Sequence, residues 1–217
     1  MKLYGFWRSL ATYRVRVAMA LKGLHADEVS IDLLKGKQNT GEYLAVNPQG
    51  VVPALILDDG GPPLFQSLAI LEYLDETHPQ PPLLPRDARG RARVRGLSLI
   101  AAADGHPLVT PRIRQYLEKE MRQDESARNR WLGHWTLRAL DAMEAHLARE
   151  KETGRFCHGD ALSMADICLA SQVIAALAYF NCDTSGVPAV MRIYNQCMEI
   201  DAFSRAHPLK QQGAAPH

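Results

Sequence analysis

The chain has only four cysteines in 217 residues, Cys157, Cys168, Cys182 and Cys197, all in its last third and none in a C-x-x-C pair. This spacing argues against a dithiol redox motif or a zinc site and leaves the four as reduced thiols in or near a core. Long apolar runs are missing too. Nothing approaches the roughly 20 residues of a membrane span, and the opening Met1-Lys2-Leu3-Tyr4 lacks the apolar stretch of a signal peptide. Nor is there an excess of charge: a net charge of +1 provides no global field for nucleic acid or an anionic membrane. The expectation is a cytoplasmic protein with no metal, nucleic-acid or membrane partner. What is present, 47% hydrophobic and 23% charged residues, suits one large domain or two small ones with real cores.

The charge is unevenly spread. Residues 86–130 hold eleven Lys and Arg against six acids. Arg86 to Arg95 read as a solvated helix face, whereas Arg112 and Arg114, shortly past the Gly105-His106-Pro107 break, are better placed to meet an anionic substrate.

Residues 1 to 78 alternate strand and helix signals. Lys2–Phe6, Ala26–Ile31, Ala54–Leu57 and Pro63–Phe65 read as strands; Thr12–Lys22, Gly41–Ala45 and the run from Gln66 read as helices. The order is βαβαββα, with Asp58-Asp59-Gly60-Gly61 as hairpin chemistry. His78 to Pro85 contains four prolines, cannot continue a helix and reads as a stiff linker. Beyond it the periodicity is helical only, at Ala92–Ala103, Thr110–Lys119 and the stripe Trp131, Trp135, Leu140, Met143, Leu147. Ser163 with Asp166 has the form of a capping box, and the tail from Leu209 reads as short, polar and mobile. Residues 1–79 are thus expected to form an α+β domain with a mixed sheet, 80–88 a linker, and 89–217 an all-α helical bundle.

Two short segments carry chemistry. In Asn47-Pro48-Gln49-Gly50-Val51-Val52-Pro53, Pro53 opens a buried strand, where its missing N–H is tolerated. A cis bond before it would turn the N–H and C=O of Val52 outward, toward an extended peptide that pairs as an added strand. Gln66-Ser67 then opens an apolar-periodic helix, whose free N–H groups and dipole attract a carboxylate. Together they describe a receptor for a small acidic peptide such as glutathione. The second segment is Gly5-Phe6-Trp7-Arg8-Ser9-Leu10-Ala11-Thr12, where strand runs into helix. A hydroxyl there can hydrogen-bond a bound thiolate, and lowering a thiol pKa from about 8.5 by two units requires only ~2.7 kcal/mol. Ser9 is the first candidate, with a helix cap as its competing role; Thr12 is the alternative and Tyr4, inside the strand, the third.

These segments resemble the cytosolic glutathione transferases, and the Arg8-Ser9…Arg14…Arg16 pattern resembles their zeta class, which includes maleylacetoacetate and maleylpyruvate isomerases. Matches continue through Ala45-Val46-Asn47-Pro48, Gln66-Ser67-Leu68-Ala69-Ile70, Leu83-Leu84-Pro85, Val94-Arg95, His106-Pro107, Gly159-Asp160, Met164-Ala165-Asp166 and Ala202-Phe203…His207-Pro208. The resemblance implies a thioredoxin-like N-terminal domain, a helical C-terminal domain and a homodimer. It implies glutathione bound by Gln38, Val52, Pro53, Gln66 and Ser67, with Asp104 reaching the neighbouring subunit's glutathione. By residue type, Arg8, His106 and Arg112 suit the carboxylates of a small dicarboxylic electrophile. The implied activity is glutathione transfer, cis-trans isomerisation of a maleyl diacid, or both; a non-catalytic glutathione-binding module is the alternative. Leu10 and Ala11 replace the Ser and Cys of the zeta pattern, so no cysteine contribution carries over. The arginine expected just before Phe180 and the asparagine expected near Thr110 are absent.

Overall fold

Four short strands and the helices covering them make up the first of two units, residues Met1–Leu83 together with the segment from Asp201 onward; the second unit is Leu84–Ile200. The computed structural model describes residues 1–214. In the first unit the elements are β1 (Lys2–Gly5), α1 (Leu10–Leu21), β2 (Asp27–Ser30), α2 (Gly41–Val46), β3 (Ala54–Ile56), β4 (Leu64–Phe65) and α3 (Ser67–Thr77). The sheet order is β2-β1-β3-β4, with β1 parallel to β2 and antiparallel to β3, and β3 antiparallel to β4. This is the mixed βαβαββα sheet expected. Leu3 of β1 lies opposite Leu55 of β3 and both are buried. Helices α1 and α3 pack on each other, and Phe6, Tyr43 and Val52 form a separate cluster with Tyr4, Trp7, Ile31, Leu33 and Val46.

Helix α1 begins at Leu10, two residues earlier than periodicity places it, because the Ser9 side chain accepts from Thr12 N and caps the first turn. It ends at Leu21 with Lys22 as its C-cap, and the φ of +65° at Gly23 permits a Schellman closure: Leu24 N donates to Met19 O and Gly23 N to Ala20 O. Beside that closure, Lys22 turns inward. Its ammonium donates to Asp75 Oδ1 at 2.9 Å, His78 O at 2.6 Å and Pro81 O at 2.9 Å, and its side chain is fully buried. All three of its protons are used. Asp75 Oδ1 also accepts from Leu83 N. The proline-rich segment is therefore fastened to the first unit as far as Leu83, which corrects the expected boundary at residue 79.

The second unit contains α4 (Ala88–Leu99), continued by a π-helical segment (Ile100–Gly105) and a 3-10 turn (His106–Val109), then α5 (Pro111–Lys119), α6 (Glu125–Arg149), α7 (Met164–Ile174), a further π-helical segment (Ala175–Tyr179) and α8 (Pro188–Met198). Every residue of α7 is buried. The capping box is formed, with Asp166 accepting from Ser163 N, Ser163 Oγ and Cys157 N; burial nonetheless pushes the Asp166 carboxyl up. Arg93 departs from the expected solvated face. Its guanidinium donates to Glu150 Oε2, the Cys157 carbonyl and Thr153 Oγ1, so it organises the turns after α6.

The chain then returns. Helix α9 (Asp201–Ala206) packs on α1 with Phe203 wholly buried, so the helical domain does not run to the C-terminus as expected. The tail also departs from a mobile strand of polar residues: Gln211 Nε2 donates to Arg205 O and His207 O, and a Cβ on Gly213 would lie 3.3 Å from Trp7 Cδ1. The rest of that tail, 215–217, lies outside the described residues.

Candidate functional site

The peptide-like edge is built as the sequence implies. The Val52–Pro53 bond is cis. No hydrogen bond among the described residues uses the N–H or C=O of Val52, whereas the carbonyl before it is held twice: Val51 O accepts from Tyr43 Oη and from Asn47 Nδ2, both at 2.7 Å. Burial pushes the Tyr43 hydroxyl up to about 12, against the lowering effect of Asn47, so the phenol remains a donor throughout the neutral range. The approach to Val52 is a turn in which Gly50 N donates to Asn47 O and Gln49 N to Asn47 Oδ1. Gln38 adjoins this turn, its carbonyl 3.3 Å from where a Cβ on Gly50 would lie. Its buried Oε1 has no hydrogen-bond partner among the described residues. An acceptor in that state costs about 1–3 kcal/mol until a donor arrives, which fits a ligand-facing amide.

At the start of α3, Gln66 has φ +66° and ψ 116°. For a non-glycine residue this costs about 1–3 kcal/mol, and such strain collects at functional sites. Its Nε2 donates to Gln49 Oε1 at 2.9 Å, which ties the helix start to the turn before Val52. Ser67 is the first helical residue and is 5% exposed; its Oγ accepts from Arg14 Nε at 3.0 Å. Arg14 is itself only 2% exposed. In the sequence Arg14 belongs to the zeta pattern without a role of its own. Here a guanidinium stands behind the serine hydroxyl and leaves the hydroxyl proton for an incoming carboxylate, adding its charge to that of the helix N-terminus. Its sequence signal is an arginine between buried Tyr13 and Val15, and a buried arginine requires an acceptor.

The three thiol-activating candidates separate clearly. Ser9 Oγ, half-buried at the N-cap, accepts from Thr12 N at 3.1 Å. A hydroxyl that accepts retains its own proton to donate, and the cap fixes where that proton can point. Thr12 is fully buried and its Oγ1 lies 3.4 Å from Phe6 N, at the end of β1. Tyr4 lies within β1 with its ring against Tyr43, 5.8 Å between centroids. Arg8, just before the cap, is half-buried.

Asp104, His106 and Arg112 belong to the second unit. Asp104 is exposed on the π-helical segment, His106 opens the 3-10 turn and is half-buried, and Arg112 is exposed on the first turn of α5. Gly105 brings Asp104 and His106 to one bend.

Residues 1–76 match the glutathione S-transferase N-terminal domain family. Over 99% of its length the chain is 43% identical to a maleylpyruvate isomerase from a Ralstonia species, covering 100% of that protein. It belongs to the zeta class of the glutathione transferases. Among solved structures, a maleylacetoacetate isomerase from Methylobacterium extorquens AM1 with bound malonate and GSH is 46% identical, with a TM-score of 0.97 and 100% of both chains covered. A second, from Anaeromyxobacter dehalogenans 2CP-1, has dicarboxyethyl glutathione and citrate in its active site. It is 35% identical with a TM-score of 0.86, and 99% of this chain and 94% of that one are covered. Within this zeta-class framework the Val52 edge, the α3 N-terminus and Ser9 all come from the N-terminal glutathione transferase domain.

Proposed function

We propose that this protein is a glutathione-dependent isomerase of a maleyl diacid, maleylpyruvate or maleylacetoacetate, working as a cytoplasmic homodimer. The observation that carries the reading is Ser9: a capped hydroxyl at the head of α1, with its proton free to stabilise a thiolate, in the same unit as a carboxylate-binding helix start. The names of the relatives and the dicarboxyethyl glutathione held by one of them support it, since that molecule is a thioether of glutathione with a four-carbon diacid. The glutathione γ-glutamyl carboxylate sits at Gln66 and Ser67, its cysteinyl backbone pairs with Val52, and Gln38 reaches the same tripeptide. Ser9 donates to the sulfur. The thiolate forms a C–S bond to one alkene carbon while the π electrons move into the conjugated carbonyl. Rotation about the resulting single bond and expulsion of the same thiolate restore the double bond as trans, so glutathione is regenerated. By residue type, Arg8, His106 and Arg112 suit the carboxylates of the substrate, and the zeta-class resemblance gives Asp104 to the glutathione of the neighbouring subunit.

Arg112→Ala tests the substrate assignment. Loss of a cation that meets a substrate carboxylate should reduce kcat/KM for the maleyl diacid at least tenfold more than for conjugation of a neutral aromatic halide, about 1.4 kcal/mol of selectivity. Equal losses on both would make Arg112 structural. Conjugation without any isomerisation by the parent protein would leave a plain transferase, and no turnover of either substrate would leave a glutathione-binding module, the reading for which Leu10 and Ala11 remove polar groups beside Ser9. Glutathione binding is tested separately at the helix start. Ser67→Ala should weaken affinity by about 1–3 kcal/mol, because it removes a hydrogen bond to a charged group. Calorimetry showing unchanged affinity would remove Ser67 from the site.

A further inference from the structure

In the second unit, the residue between Asp104 and His106 has no space around it. A Cβ on Gly105 would lie 2.6 Å from Ala139 Cβ of α6 and 2.9 Å from Gln172 Nε2 of α7. Gln172 is wholly buried, as is Thr136 one turn before Ala139. The Gln172 Nε2 donates to Thr136 O at 3.3 Å, while Gln172 Oε1 and Thr136 Oγ1 meet no hydrogen-bond partner among the described residues. Buried oxygens in this state oppose folding, and an apolar side chain of equal length would fill the same volume without that penalty. The chain nevertheless carries an amide there, next to a segment whose i→i+5 winding is itself a recurrent mark of functional sites.

We propose that Gln172 is a positioning residue for the substrate-facing bend. Its amide, oriented by the Thr136 carbonyl, is the stop against which the Gly105 backbone rests, and it holds Ile100–Gly105 in the π register. A return to the α register would rotate His106 about the helix axis by roughly one residue step, ~100°, and carry its ring off the line of approach. The amide is thus retained for geometry at the expense of stability, the exchange expected where a fold serves a site. The kinetic part of this inference rests on the diacid reading above; the spectroscopic part does not.

The test is Gln172→Met in the full chain. Urea unfolding should show a midpoint equal to or above that of the parent. KM for the maleyl diacid should rise at least about fivefold, with kcat reduced less and halide conjugation within about twofold, as displacement of one contact predicts. In a His106→Ala background the same change should leave the diacid KM where His106→Ala alone puts it. Without any substrate, the His106 ring signal in NMR, assigned by its loss in His106→Ala, should move in Gln172→Met. An unmoved ring signal overturns the proposal whether or not the diacid is the substrate. So does parallel loss of stability and of both activities, or a KM effect that persists undiminished without His106. A moved ring signal in a protein that turns over only the halide would uphold the positioning role and reject the diacid.

Discussion

Ser9→Ala will raise the thiol pKa of bound glutathione by about one to two units and slow turnover by about 10–100-fold, the loss expected when a hydrogen bond of ~1.5–3 kcal/mol to a charged atom is removed. The thiolate absorbance of the complex measures the first effect and steady-state kinetics the second. Ser9 also caps α1, so alanine will cost about 1 kcal/mol of stability as well. Glycine separates the two roles, because it is a tolerated N-cap that loses only a few tenths of a kcal/mol. If Ser9 activates the thiol, Ser9→Gly will be nearly as stable as the parent and as impaired as Ser9→Ala. If Ser9 is only a cap, Ser9→Gly will retain normal activity and an unshifted titration. Thr12→Ala provides the contrast: with Thr12 fully buried and its Oγ1 near Phe6 N, it should lower stability and leave the thiol titration in place. A titration shifted by Thr12→Ala and not by Ser9→Ala would transfer the role to Thr12.

The second large effect is on stability. Lys22→Met should destabilise the protein by about 3–5 kcal/mol, the usual cost of removing one partner from a buried ion pair. Three acceptors lose the ammonium at once: the Asp75 carboxylate, which keeps the Leu83 N–H but loses its counter-ion, and the carbonyls of His78 and Pro81. Urea unfolding gives the magnitude, and faster proteolysis between His78 and Pro85 gives the place. The pair itself is replaceable. Lys22→Met combined with Asp75→Leu should recover much of the loss, since the deepest penalty is the unpaired carboxylate. A single variant within 1 kcal/mol of the parent would show the clamp to be incidental.

Lys22 illustrates where sequence reading stops. The strands and the hairpin were legible because their signals are local: period-two alternation, β-branched residues and Asp-Gly turns. Gln66-Ser67 was legible for a similar reason, as a polar pair opening an apolar periodic run. Arg14 lies on α1 and Lys22 at its C-cap, among residues whose pattern says only that this helix is buried, and their partners are at least 53 residues away in sequence. Arg93 reads as solvated in the sequence for the same cause, its acceptors being at least 57 residues distant. Local periodicity carries no information about such pairings. The π winding of Ile100–Gly105 was hidden differently. It extends the apolar pattern of α4 while changing the hydrogen-bond step, and only the backbone hydrogen bonds of the folded chain reveal it. The positive φ of Gln66 was likewise silent, because a strained glutamine has no compositional mark.

The return of α9 to the first unit bears on how the protein can be made. Phe203 is completed as core only when α9 lies on α1, so a ribosome that has released residues 1–83 has not yet released everything that unit requires. The glutathione-binding half cannot be fully assembled while the helical half is still being synthesised. A fragment ending at Leu83 would expose the apolar face of α1 that α9 covers. Supplying the segment from Asp201 onward, by fusion after a short flexible joint, is the way to obtain that half as an independent molecule.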